Sequence, residues 1–392
     1  MNPPARFNPS IVRLSPPPVP AVQSWGCAYG GGHGPLIDLS QAVPGYPPHE
    51  RLLRWLGEAA SSPAFAGYGD IEGEPVLRAA YAHDISALYG AEIAAGNVHV
   101  TSGCNQAFVA AVMAVAGRGD AIAITNPWYF NHETTLKMLG LKMRRVDCTA
   151  RNGFLPDPQD VEAALAPDVR ALALVTPNNP TGAVYPPALL QTLFTICRKK
   201  GVWLILDETY RDFLPPDVSR PHGLFAAPDW KESLIQLYSF SKSFCIPGHR
   251  LGAVVAAEPV VAQIAKIMDN LQICAPRAPQ AAVARGLPAL AAWRQANRRE
   301  IAARARALLE ALDNTGWAVD ALGAYFAFVR HPFAGSDSAR VAEALATQAG
   351  ILTIPGAYFG PGQDNHLRFA FANTDSQTLA GLRGRLRDFA PG

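Results

Sequence analysis

Residues 239–252 read SFSKSFCIPGHRLG, and the residues that lead into them, LIQLYSF at 234–240, form a short continuous apolar run. Such a run has the pattern of a buried strand. A lysine head is rarely buried unless a partner or a reaction uses it. Ile246, Pro247 and Gly248 follow Lys242, so no helix is predicted to start cleanly after it, and a stiff turn is expected instead. Lys242 is thereby placed at a strand end, where open α/β sheets hold their ligands. A loop lysine on the surface satisfies the same local pattern, so the rest of the chain must decide between them.

Outward from this stretch the chain alternates. HVTSG, AIAIT, ALALVT, VWLILD and LGAVVAA read as strands, and 105–115, NHETTLKMLG and PALLQTLFTICRKK as helices, after an earlier helix through EPVLRAAYAHDISALYG. Strands alternating with helices of this length imply an α/β protein with a large, mostly parallel sheet covered on both faces. After about 258 the sequence turns to long alanine- and arginine-rich helix as far as Leu312, broken at APRAP. WAVD, YFAFV, a helix from Ser338, ILTIP, HLRFAF and a closing helix then read as a smaller α+β domain. Residues 1 to about 48, with PPPVP and YGGGHGP, read as an irregular arm. The expected division is 46–284 for the large domain, and 1–45 with 285–392 for the arm and small domain.

The 392 residues carry a formal net charge of +2, which gives no reason to expect nucleic acid or a membrane surface as partner. The six cysteines (27, 104, 148, 197, 245 and 274) contain no CxxC pair and no metal-like spacing with histidine, so no metal site is expected. Scattered in a chain this long, they point to reduced thiols in the cytoplasm. MNPPARFNPS lacks the apolar stretch of a signal peptide, and no run approaches the ~18 apolar residues of a membrane span.

Four stretches fall at strand ends. TSGCNQ (101–106) joins a strand to a helix N-terminus, where N–H groups and the helix dipole favour an anion such as phosphate. Its Ser and Asn are also ordinary helix caps. PNNPTG (177–182) follows a strand, and Asn179 can bond a ligand or serve the turn. LDETY (206–210) ends an apolar strand, so the Asp207 carboxylate lies near the core boundary and needs a partner. The last stretch is the lysine segment itself, with Arg250 eight residues beyond Lys242. Together they ask for a ligand with an anion, a ring, a basic ring nitrogen and a carbonyl for the lysine.

With SxSKxFxxxGxRxG, NPTG and DxxY in this order, the chain resembles the class I/II aminotransferases from about Ile37 to Phe389. These are fold-type I enzymes that use pyridoxal 5'-phosphate (PLP). The resemblance implies that Lys242 forms a Schiff base with PLP and moves the substrate proton. It implies that Asp207 pairs with the pyridine nitrogen, and that Asn179 and Tyr210 bond the phenolic oxygen. Gly103, Cys104, Asn105, Ser239 and Arg250 would surround the phosphate, and Tyr129, with Trp128 the near alternative, would stack on the ring. Arg368 in HLRFAFA would clamp the substrate α-carboxylate. Tyr68 in YGDIEGEPVLRAAYA would reach the phosphate of a neighbouring subunit, making the protein a homodimer with shared active sites. Ala42 or Val43 stands where the family has a glycine beside the substrate.

The implied activity is exchange of an amino group between an α-amino acid and a 2-oxo acid by a ping-pong mechanism. A PLP-dependent β-lyase or cyclase shares these motifs. A PLP-binding regulatory domain is the second alternative, disfavoured because nothing before residue 30 resembles a DNA-binding segment. Arg277 is a candidate second cation for a dicarboxylate substrate, and Trp25, Tyr29 and Tyr46 would suit an aromatic or apolar side chain.

Overall fold

In the computed structural model, which describes residues 5–391, the lysine segment folds as the strand Leu234–Ser239 followed at once by a four-residue helix, Phe240–Ser243. This corrects the reading of Phe240 as strand and of Lys242 as a turn residue. Ser239 caps the helix, its side chain accepting from the Ser241 N–H at 3.3 Å. A serine at this position satisfies an N–H that the helix leaves free, and Pro247 lies far enough on to permit the single turn.

The strand sits within a seven-stranded sheet. In spatial order the strands are Val98–Thr101, Gly252–Val255, Leu234–Ser239, Trp203–Asp207, Val169–Val175, Ala121–Asn126 and Lys142–Asp147. The last five run parallel, and Gly252–Val255 is antiparallel to both its neighbours. Leu204 and Leu206 pack into one core with Leu193 and Phe194, while Ile205 packs into another with Phe108 and Ile235. Alternate residues therefore enter opposite layers, as a sheet covered on both faces requires. Lys142–Asp147, KMRRVD, escaped the sequence reading because only Val146 of it is fully buried. An edge strand can carry charge that an inner one cannot.

A four-stranded antiparallel sheet, in the order Ile354–Pro355, His366–Phe369, Phe326–Arg330 and Ala318–Gly323, carries the C-terminal part. Ile37–Asp38 pairs in parallel with Ile351–Leu352 and ties the N-terminal segment to it. The alanine-rich stretch forms three helices, Glu258–Leu271, Arg277–Ala289 and Ala291–Leu312, breaking at APRAP and again at Leu290. The expected irregular arm holds two helices, Pro9–Val12 and Pro18–Cys27. Their prolines occupy the first turn, where no N–H is needed and the fixed φ suits a helix. Among the described residues no helix is long and apolar enough to cross a membrane.

Candidate active site

The parallel strands end on one side of the sheet, and the loops leaving them enclose a cavity of about 240 Å³. It brings together Ala42, Cys104, Asn105, Tyr129, Asn179, Asp207, Tyr210, Ser239, Lys242, Arg250 and Arg368. These segments are separated by up to 326 residues (368 − 42) in the chain. Gly103 lies under Arg250 rather than on the cavity wall, and Trp128 lines a neighbouring cavity instead.

Lys242 is partly buried at the centre. Its ammonium donates to the Ala42 carbonyl and lies 5.9 Å from the centre of the Tyr210 ring. Burial, with Arg250 and Arg368 nearby, lowers its pKa from the usual 10.5 to about 8. Near neutral pH a usable share of this amine is therefore uncharged, which ordinary lysines do not offer.

Asp207 ends its strand with 5 % of its surface exposed. Oδ1 accepts from the Thr209 N–H at 2.9 Å, and Oδ2 lies 3.4 Å from His132 Nε2. Burial raises its pKa, but His132 and Thr209 outweigh that effect and hold the carboxyl below its usual value. His132 is itself stacked on Phe108, with ring centres 3.7 Å apart, and meets Tyr129 edge-on at 5.3 Å. It went unnoticed in the sequence, because only the fold brings it to Asp207, 75 positions on (207 − 132).

The opposite end of the cavity is built for an anion. The helix Cys104–Val115 starts there, so its first N–H groups are free. Arg250 donates to the Pro247 carbonyl at 2.8 Å and to the Ser102 carbonyl at 3.4 Å, and no carboxylate is within ion-pair distance of it among the described residues. Ser241 Oγ is buried without a hydrogen-bond partner. A Cβ on Gly252 would lie 2.7 Å from the Gly103 carbonyl carbon and 2.8 Å from the Cys104 nitrogen, so only glycine lets the two loops close up here. A phosphate would satisfy this end, a pyridine nitrogen would satisfy Asp207, and an aldehyde would meet the Lys242 amine. The residues present fit PLP.

Arg368 is 2 % exposed, yet none of the ion pairs among the described residues uses it. Nη1 donates to Asn179 Oδ1 at 2.9 Å, another N–H donates to the Ser40 carbonyl, and Nε has no partner. Burial lowers its pKa to about 10, with the hydroxyls of Tyr210 and Tyr129 opposing the shift.

Several residues that the sequence put forward lie off this chain's cavity wall. Arg277 pairs with Glu74 at 2.6 Å and donates to the carbonyls of Ala64 and Gly67, outside the cavity of its own chain. Trp25, Tyr29 and Tyr46 do not line the cavity. Tyr29 accepts from the His33 N–H, and Tyr46 lies beneath Arg304 and against Trp293. Val19, Gln41 and Phe130 line it instead. Val43 is also off the wall, and Tyr68, 79 % exposed, stands outside its own chain's cavity.

Residues 31–386 match the family described as aminotransferase class I and II. The aromatic aminotransferase ISS1 of Arabidopsis thaliana is 28 % identical over 366 residues, covering 90 % of this chain and 89 % of that protein. The arginine–pyruvate transaminase AruH of Pseudomonas aeruginosa is 30 % identical over 325 residues, 79 % and 80 % of the two chains. A Thermus thermophilus aspartate aminotransferase double mutant superposes with a TM-score of 0.90 at 24 % identity, covering 98 % of this chain and 99 % of the other. With the match spanning most of its length, the chain belongs to the class I and II aminotransferases, enzymes of fold type I that work with PLP.

Proposed function

We propose that this cleft moves the amino group of an α-amino acid with a neutral, largely apolar side chain to a 2-oxo acid. One observation carries the choice of side chain. The charged groups on the cavity wall are Lys242, Arg250, Arg368 and Asp207, and each already has a use. No cation of this chain remains on the wall for a second carboxylate, and no anion for a basic side chain. Val19, Phe130 and the Tyr129 ring leave apolar surface in its place. The Arabidopsis relative, named an aromatic aminotransferase, points the same way.

PLP, when bound, supplies an electron sink that weakens the bonds to the substrate Cα. The phosphate would be held by the N–H groups of Cys104 and Asn105, by Ser239 and by Arg250, on the backbone that Gly103 shapes. Asp207, kept ionised by His132 and Thr209, would face the pyridine nitrogen. Asn179 and Tyr210 would serve the phenolic oxygen, and Tyr129 would cover the ring. Arg368, its Nε unpartnered, binds the α-carboxylate through paired N–H donors. With the carboxylate held, the Cα–H bond rather than the carboxylate bond is the one exposed to attack. Lys242 Nζ, uncharged in useful amount near neutral pH, takes the Cα proton and returns it. Ala42, through its carbonyl, steadies that nitrogen.

The reading extends to the whole protein. Residues 46–284 would form the cofactor-binding domain, and 1–45 with 285–392 the arm and small domain. The working form would be a homodimer in which Tyr68 serves the partner's phosphate, without membrane or nucleic acid. The six free cysteines favour a reducing compartment such as the cytoplasm.

A panel of amino donors, each mixed with the PLP enzyme without any 2-oxo acid, tests the reaction and the substrate class together. Leucine, methionine and phenylalanine should change the absorbance of the bound cofactor once and then stop, resuming when a 2-oxo acid is added. Their kcat/KM should exceed those of aspartate and arginine by roughly tenfold or more. Preference for aspartate or arginine would refute the side-chain class. Continuous release of ammonia without an acceptor would refute amino transfer.

A further inference from the structure

Outside the cavity lining lies a buried polar network to which the mechanism above assigns no role. Arg211 is 3 % exposed, and its guanidinium lies 4.1 Å from the centre of the Tyr238 ring, with the Tyr81 and Tyr89 rings at 5.5 and 5.6 Å. It donates to the Tyr89 hydroxyl at 3.3 Å, which donates to Glu208 Oε2 at 2.5 Å. Tyr238 in turn lies 2.5 Å from Asp212 Oδ2 and 2.7 Å from Ser243 Oγ.

The direction of these bonds follows from counting protons. Burial and the neighbouring Asp212 push the Tyr238 pKa well up, so the phenol keeps its single hydrogen. An ionised Asp212 can only accept. Tyr238 therefore donates to Asp212, and Ser243 must donate to Tyr238. The network reaches both segments that matter. Glu208 follows Asp207 directly, with Arg211 and Asp212 a few residues beyond, and Ser243 follows Lys242. The lysine helix is only four residues long, too short to hold its own geometry. Beside the Ser239 cap and the bond from Lys242 to the Ala42 carbonyl, the bond between Ser243 and Tyr238 ties this helix to the buried network.

We propose that Tyr238, clamped between Arg211 and Asp212, is a positioning residue that sets the orientation of Lys242 through the Ser243 hydroxyl. This rests on the assignment of Lys242 as the proton-carrying amine, and goes beyond it by naming what holds that amine in place. Buried, fully directed networks of this kind hold one geometry, and small displacements of a reacting group are costly in rate.

Tyr238→Phe keeps the ring against Arg211 and removes the hydroxyl, while Ser243→Ala removes the donor. Each should lower kcat roughly tenfold with little change in KM. The double variant should be no worse than Tyr238→Phe alone, because Ser243→Ala removes no bond to Tyr238 that the loss of its hydroxyl leaves standing. Ser243→Thr, which keeps a hydroxyl, should restore most of the rate. A second readout needs no cofactor. In the cofactor-free protein, the pH dependence of Lys242 acylation by a small reagent should inflect near 8 for the wild type. It should move upward in both variants as the released ammonium reaches water. Lys242 faces Arg250, Arg368, Cys104, Cys245 and the Tyr210 ring, and none of these is altered. Wild-type kcat in both variants would overturn the proposal. So would a loss of stability and rate with an unmoved inflection, since that would mark a purely structural network. A borohydride adduct on Lys242 in the wild type and in both variants separates this outcome from failure of the Lys242 assignment, in which the adduct would lie on another lysine.

Discussion

Arg368 is a buried cation that no carboxylate of the described chain answers, and such a charge is costly to keep unless something arrives to pair with it. Its removal therefore has a specific signature. Arg368→Ala should raise KM for the amino acid roughly 10- to 100-fold while leaving PLP affinity nearly unchanged, the scale of a lost charge-assisted pair. Steady-state kinetics beside a PLP titration measures both quantities. Amines without a carboxylate should be poor substrates of the wild type and little altered by the change, and an equal loss for them would mark the arginine as structural. That Lys242, Asp207, Asn179 and Arg250 meet on one cavity wall was legible in advance, because type and spacing coincide within a few positions of each motif. His132 was not legible. Its value lies in one 3.4 Å approach to Asp207, and nothing around it in NHETT distinguishes it from a solvent-facing helix residue. Val19, Gln41 and Phe130 were missed for the same reason, since a wall residue is defined by what stands opposite it.

Among the elements, the inner strands and the helix Pro187–Lys200 were readable because their burial imposes a pattern on their sequence. Trp203–Asp207 and Val169–Val175 are apolar almost throughout, since both faces of the sheet are covered. The edge strand Lys142–Asp147 and the helix Pro18–Cys27 were not readable, each because a local signal misleads. Charge in the first reflects a free edge, and proline in the second starts a helix rather than preventing one. The helix Phe240–Ser243 was the most consequential miss. One turn has no periodicity to detect, and it forms because Ser239 caps it and Ser243 is anchored to Tyr238. At this scale Gly252 stands near the anion end, where a strand and a helix N-terminus meet at backbone distance.

At the scale of the whole molecule, one chain is an incomplete enzyme on this account. Tyr68 stands 79 % exposed, and Leu271 and Ile273 are also exposed. Their segments are joined where the Gly69 N–H donates to Cys274 Sγ at 3.4 Å and Arg277 pairs with Glu74. Exposed apolar residues on two joined segments are what a two-fold interface can cover. Sedimentation should give twice the 41.9 kDa of the chain. Mixing Tyr68→Ala chains with Lys242→Ala chains should restore activity, because each heterodimer then holds one site with a native lysine and a native partner tyrosine. A competent monomer, or no recovery on mixing, would refute the shared site. The claim on which every other step depends is that Lys242 carries the cofactor. Borohydride reduction of the PLP-loaded enzyme, followed by peptide mapping, tests it most directly. The account predicts the cofactor fixed to the peptide containing Lys242 and to no other, whereas an adduct on Lys231 or Lys266, with Lys242 unmodified, would contradict it.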